Sequence, residues 1–193
     1  MTLADLDMNL VYSYADYLKW QIEERVELIK GKIFKMSAPN RIHQRLSMYI
    51  SGKLYIFLEN KKCEVYTAPF DVRLPRKSKD DKDIITVVQP DVCVICNTEI
   101  LDAKGCLGAP DIVVEILSPS NNAVELRNKY ELYEEAGVKE YWVVTPGGAT
   151  FLAYTLENGK YRASRLMAEG DVFHSAVLEG FSLDIKDMFD KME

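Results

Sequence analysis

Asp111-Ile-Val-Val-Glu-Ile-Leu117 reads as a strand that is almost continuously apolar. That is the pattern of a segment covered on both faces, and so central in a sheet. Ser118-Pro-Ser-Asn-Asn122 breaks it. Asn122, with Glu125 three residues on, has the form of a capping box and starts a helix. The helix ends at Ala136-Gly137, where glycine suits the left-handed C-cap. Tyr141-Trp-Val-Val-Thr145 is the next strand. Strand, helix and strand in succession give a mixed α/β class, a sheet crossed by helices.

Working outward, Glu27-Leu-Ile-Lys-Gly-Lys-Ile-Phe-Lys-Met36 reads as two short strands turning at Lys30-Gly31. Pro39-Asn40 is a breaker, and Ile42, Leu46, Tyr49, Ile50, Leu54 and Phe57 mark an amphipathic helix running to about Asn60. Leu10, Tyr14, Tyr17, Leu18 and Ile22 predict another over residues 10–25. Segments 62–74 and 84–96 read as strands, joined by a charged loop at 76–83 expected to be solvated and mobile. Gly147-Gly148 and Asn158-Gly159 read as hairpin turns of an antiparallel tail, and a short helix is expected from Asp184. No repeat or linker divides the chain, so residues 1–193 are expected to form one domain.

Composition bounds the function. The chain has 193 residues, 48% hydrophobic and 28% charged, which excludes disordered and collagen-like classes. Its apolar runs fall far short of the roughly 18 residues a membrane helix needs, and Met1-Thr2-Leu3-Ala4-Asp5 lacks the basic start of a secretion signal. A cytoplasmic protein with no membrane association is expected. Thirty Asp and Glu against 24 Lys and Arg give a net charge of −6, which argues against coating DNA through a broad basic face. A divalent cation can invert the sign of a local acidic cluster, so metal-dependent chemistry remains allowed. The four cysteines are Cys63, Cys93, Cys96 and Cys106. Cys93 and Cys96 lie three apart on a strand and so on opposite faces, which disfavours a shared zinc ion. All four are expected to be small core residues in a reducing compartment.

Charged residues on buried segments carry the chemical signal, because an ion there costs several kcal/mol unless it is paired or metal-bound. Asp91 interrupts Val87-Val-Gln-Pro-Asp-Val-Cys-Val-Ile95, and Glu115 interrupts the strand quoted first. Two carboxylates from neighbouring strands, backed by a backbone carbonyl, supply the hard oxygen ligands that Mg²⁺ prefers. On the following helix, at about 100° per residue with Leu126 as zero, Tyr133 falls near ~340°, Ala136 near ~280° and Leu132 near ~240°. Lys129 falls near ~300°, inside that apolar arc, while Arg127, Glu131, Glu134 and Glu135 lie opposite. A core-facing lysine beside two acids is suited to orienting an activated water and stabilising charge on a phosphoryl oxygen. The bland reading is a structural ion-pair network with Lys129 snorkelling to solvent.

Pro90-Asp91, followed by Glu115-Ile116-Leu117, resembles the Pro-Asp…(Asp/Glu)-x-Lys signature of the PD-(D/E)XK nuclease superfamily in its αβββαβ order. The segments Glu27-Leu-Ile-Lys-Gly, His43-Gln-Arg45, Val88-Gln-Pro-Asp91, Ala109 to Ser120, Lys129-Tyr-Glu-Leu-Tyr133 and Ala136 to Trp142 are similar to the Uma family of restriction-endonuclease-like proteins. The likeness covers nearly the whole chain. It implies a restriction-endonuclease-like α/β fold with a mixed central sheet, an N-terminal hairpin and a C-terminal antiparallel extension. It also implies Mg²⁺-dependent hydrolysis of DNA phosphodiesters, with Mn²⁺ as a substitute ion. Asp91 and Glu115 would hold the metal and Glu27 would complete its shell, all three counting as catalytic with Lys129. The signature lysine is replaced by Leu117, and Lys129 fits a relocation of that lysine to the following helix. His43, Gln44 and Arg45 are candidates for substrate contact. Asp111 forms a second Pro-Asp pair but lies too near Glu115 to be the signature aspartate, and His174 has no assigned role.

Three function classes compete. A Mg²⁺-dependent DNA phosphodiesterase needs the acids and Lys129 together, and a homodimer is expected by analogy with enzymes that cut both strands. A catalytically degenerate binding or assembly module on the same fold needs no ion. A carboxylate-pair glycosidase predicts metal independence and a sugar cleft, and it leaves the core-facing lysine unexplained.

Overall fold

Lys30 and Gly31 both take positive φ, 52° and 77°, the conformation of a two-residue hairpin turn whose twist matches its strands. They join β1 (Val26–Ile29) to β2 (Lys32–Lys35), with Glu27 opposite Phe34. A computed structural model describes residues 2–118 and 123–190, apart from the side chains of Ala123 and Glu125. The capping box expected at Asn122 and Glu125 lies outside the described residues. Upstream of β1 is one helical turn, α1 (Tyr14–Tyr17). After the hairpin, Asn40 accepts a hydrogen bond from the His43 amide at 2.9 Å and caps α2 (Arg41–Leu58), which buries Leu46, Ile50, Leu54 and Leu58.

The strands that follow are β3 (Glu64–Thr67), β4 (Val72–Arg73), β5 (Val87–Val88), β6 (Val92–Ile95), β7 (Leu101–Asp102), β8 (Gly105–Leu107) and β9 (Ile112–Ile116). Helix α3 (Ala123–Ala136) crosses to β10 (Glu140–Thr145), which runs parallel to β9. Hairpins then lead through β11 (Thr150–Glu157) and β12 (Lys160–Ala163) to β13 (Val172–His174), β14 (Ser182–Asp184) and α4 (Ile185–Asp190). Two six-stranded mixed sheets result, ordered β2-β1-β5-β4-β8-β7 and β12-β11-β10-β9-β6-β3, with β13 and β14 as a separate pair. The class is mixed α/β, as the strand–helix–strand pattern predicts. The second sheet has β9 and β10 at its centre. One of its faces packs Val92, Val94, Val114 and Trp142 against α2 and the α4 tail. The other packs Cys93, Ile95, Val113 and Tyr141 against α3 and the first sheet.

Several expectations are corrected. Residues 10–25 form a single helical turn, because the amides of Tyr12, Tyr14 and Ala15 donate to the carbonyls of Gly31, Ile84 and Asp81. Backbone donors spent on other segments cannot build a helix ladder. The strands expected at 62–74 and 84–96 each break at a proline, Pro69 and Pro90, which has no N–H to give a ladder. The break at Pro90 is where the chain leaves the first sheet for the second. The charged loop at 76–83 is largely exposed, as expected, and carries ion pairs from Arg76 to Glu135 at 2.9 Å and from Asp81 to Lys104 at 2.5 Å. No described helix is long and apolar enough to cross a membrane.

The cysteines divide. Cys93 and Cys106 are buried and free, as expected. Cys63 and Cys96 instead form a disulfide, against the expectation of four free thiols. The β3–β6 register pairs Glu64 with Ile95, so the next pair outward is Cys63 with Cys96. Closing a loop of separation 33, the bond should stabilise the fold by on the order of 3 kcal/mol. Urea unfolding with and without reductant is expected to show that loss, and Cys63→Ser should show it without reductant.

Candidate active site

Glu115 lies near the end of β9 on the face that meets α3, so its carboxylate points into packed side chains and is 7% exposed. Lys129 and Tyr133 stand one turn apart on α3 and therefore on one face. Both donate to the same oxygen of Glu115, Oε1: Lys129 Nζ at 2.8 Å and the Tyr133 hydroxyl at 2.6 Å. Lys129 Nζ also reaches Glu27, at 3.3 Å from Oε1 and 3.2 Å from Oε2. Glu27, on β1 of the other sheet, accepts the Gln89 amide at 2.8 Å. Lys129 is 6% exposed, so it faces the interior and does not snorkel.

Asp91 stands at the corner after Pro90, just before β6, and not inside a strand. The antiparallel register of β6 on β9, Val92 opposite Val114, sets Asp91 across from Glu115. Its Oδ2 accepts the Ile116 amide at 2.7 Å and lies 3.1 Å from His43 Nε2, which comes from α2 on the opposite face of the sheet. Asp91, Glu115, Glu27, Lys129 and His43 all line one cavity of about 280 Å³. Gln44 lines it as well, whereas Arg45 is exposed on α2 and is not among its lining residues. Asp111 is elsewhere, paired to Lys139 at 2.6 Å and to the Cys96 amide at 2.6 Å. His174 is exposed on β13.

The charges are unequal. Burial pushes the Glu115 carboxyl up to about 7; Lys129 opposes the shift while Asp91 and Glu27 add to it. Burial pulls Lys129 down, but the charges of Glu115 and Glu27 overcome it and hold the ammonium well above its ordinary value. Burial likewise pulls His43 down, and the hydrogen bond and charge of Asp91, with Glu115 behind, raise it. Three carboxylates thus share one lysine and one histidine. The bonds described above fall on one oxygen of each carboxylate, Oδ2 of Asp91 and Oε1 of Glu115. Two hard oxygens beside an uncompensated negative charge suit a Mg²⁺ ion that keeps several of its waters. No group of three or more His, Cys, Asp or Glu side chains among the described residues is arranged to hold a metal ion, so an ion here would rest on fewer protein ligands than a closed zinc site has.

Two members of the site escaped the sequence. Tyr133 sits in the apolar arc of α3, where a phenol looks like packing; its place four residues after Lys129 was the available signal. Gln89 is the other. Its side chain accepts from Arg25 at 2.7 Å and donates to Asp71 at 2.8 Å, bracing the corner that carries Asp91.

Residues 14–186 match the Uma2 family, described as putative restriction endonuclease. An uncharacterized protein of Synechocystis sp. is 26% identical over 120 residues, which is 61% of this chain and 60% of that relative's length. A crystal structure from Anabaena variabilis, described as a putative nuclease belonging to DUF820, has a TM-score of 0.73 at 18% identity, covering 94% of this chain and 99% of that one. At that identity the likeness shows a shared fold.

Two outcomes are expected of the metal-free protein. Lys129→Met leaves Glu27 and Glu115 buried without their cation, which should cost about 3–5 kcal/mol in denaturant unfolding. The second concerns pH. A carboxyl whose folded-state pKa lies above its unfolded value stabilises the fold at low pH, and that contribution is lost as pH rises through the folded value. Stability from Glu115 should therefore decline from about pH 4.5 to about 7, and Glu115→Gln should flatten that part of a urea-melt pH series.

Proposed function

The chain belongs to the Uma2 family, and we propose that it is a Mg²⁺-dependent endonuclease that hydrolyses DNA phosphodiester bonds. The observation that carries the reading is the convergence of Glu27, Asp91 and Glu115 on one cavity, with Lys129 bridging Glu27 and Glu115 and His43 on Asp91. Asp91 Oδ1 and Glu115 Oε2 would hold the ion, with Mn²⁺ able to replace it, and Glu27 would complete its shell through water. When bound, the ion supplies Lewis-acid polarisation of a phosphoryl oxygen and makes water more acidic.

The chain's own groups do the rest. Lys129 Nζ lies within reach of three carboxylate oxygens, one of Glu115 and two of Glu27. Exchanging one of the longer contacts to Glu27 would let it orient the attacking water or meet charge developing on a phosphoryl oxygen. Tyr133 donates to Glu115 Oε1 beside Lys129 and fixes the orientation of that carboxyl group. His43, on Asp91 from the α2 side, is placed to contact the phosphate, with Gln44 beside it at the cavity wall and Arg45 further out. Leu117 lines the same cavity. An apolar side chain stands where the superfamily signature has its lysine, and the amine comes from α3 instead.

A second reading has one observation in its favour. Each of the three carboxylates already has a protein partner, as expected of a degenerate relative whose ion pairs serve the fold. Cleavage of oligonucleotides with and without Mg²⁺ separates the two. The nuclease reading expects Asp91→Ala and Lys129→Ala each to lower the rate by about 10²–10³-fold, the loss typical of removing one charge-stabilising group. Wild-type rates in either variant remove that residue's role. Equal calorimetric heats of Mg²⁺ binding to wild type and to Asp91→Asn/Glu115→Gln remove the metal site.

A further inference from the structure

The cavity has a second wall that phosphodiester chemistry leaves unused. Phe34 and Met36 of the hairpin and Met48 of α2 are among its lining residues. Met48 is 73% exposed, and Phe34 is half-buried, packed on one side against the core between the sheets. Phe34 is also the direct cross-strand partner of Glu27. Directly opposed residues of an antiparallel pair put their side chains on one face, about 5 Å apart at Cβ. A flat apolar ring therefore stands next to a carboxylate of the candidate centre.

From this we infer that the site takes an unpaired nucleotide, in a single strand or a locally opened duplex, with its base stacked on Phe34 while the adjoining phosphate meets Asp91 and Glu115. The inference rests on the nuclease reading above and names its substrate class. In an intact duplex each base is paired and stacked, so its faces reach a side chain only after extrusion. Base–aromatic stacking is the usual grip on unpaired strands and tolerates any sequence. Size agrees: about 280 Å³ lies just below the roughly 300–1,000 Å³ of ordinary small-ligand sites, the scale of one nucleotide.

Charge agrees as well. Holding a duplex through its backbone commonly takes about 6–10 phosphate contacts. Among the described residues, the basic groups lining this cavity are Arg25, Lys35, Lys129 and His43, the last on Asp91. Arg25 is engaged by Gln89, and Lys129 by Glu27 and Glu115. With a net charge of −6, a local grip that includes a stacked base suits this chain better than a long electrostatic one. Such a site cuts one strand at a time.

The test compares kcat/KM of the full chain with Mg²⁺ on one oligonucleotide in three forms: single-stranded, fully paired, and paired with a small bulge. The single strand and the bulge should be cleaved at least about tenfold better than the intact duplex, the lower range of one base–aromatic stack. Phe34→Leu, which fills similar space without a flat face, should abolish that preference through KM, and Phe34→Tyr should keep it. Equal or better cleavage of the intact duplex overturns the inference. So does an unchanged preference in Phe34→Leu whose melting matches wild type. Cleavage of none of the three forms with Mg²⁺ or Mn²⁺ overturns the nuclease reading itself and this inference with it.

Discussion

One buried ammonium organises this molecule. Lys129 Nζ sits between a carboxylate of β9, 14 residues earlier in the chain, and one of β1, 102 residues earlier. Its contacts therefore join α3, the second sheet and the first sheet at a single atom. Desolvating three charged groups costs several kcal/mol per ion, and well-packed apolar residues often do as well or better at such positions. The cluster is therefore weak grounds for stability and better grounds for a task that requires charge.

The place of the cluster follows from the topology. The chain passes from one six-stranded sheet to the other at Gln89-Pro90, and Asp91 stands at that corner. Proline cannot donate to a ladder, so the strand has to break there, and the break frees Asp91 to turn its carboxylate toward the end of β9. Helix α2 brings His43 from one face of the second sheet, and α3 brings Lys129 and Tyr133 from the other. Around the acids, the hairpin β1–β2 supplies both Glu27 and the apolar ring of Phe34. The ensemble is a small polar cavity with one greasy wall inside an acidic protein. The chain belongs to the Uma2 family and shares its fold with the Anabaena structure.

Much of this was legible in the linear chain, for identifiable reasons. Lys129 was readable because helical periodicity is strict, and one charge inside an apolar arc stands out. Asp91 and Glu115 were readable as charges on apolar segments, and the turns at Lys30-Gly31 and Asn158-Gly159 because few residues tolerate positive φ. Tyr133 was not, since a tyrosine in a core arc is ambiguous until its hydroxyl has a partner. The segment 10–25 misled for the opposite reason: its spacing suits a helix, but its amides are claimed by Gly31, Asp81 and Ile84, which no local pattern records. The Cys63–Cys96 pair depends on the β3–β6 register, a nonlocal quantity.

The sequence by itself determined the class of the fold, the main helices and turns, and that Glu115 and Lys129 would be buried charges. Periodicity, capping chemistry and the cost of burying charge are local or compositional properties, and they can be read from residues in order. Only the tertiary structure decided which of those groups meet. Strand register set Asp91 opposite Glu115, the joining of two sheets brought Glu27 within reach of Lys129, and the packing of α3 put Lys129 and Tyr133 on one oxygen of Glu115. Those choices depend on contacts between residues up to 102 positions apart, and pairing at that range is a property of the whole packed chain.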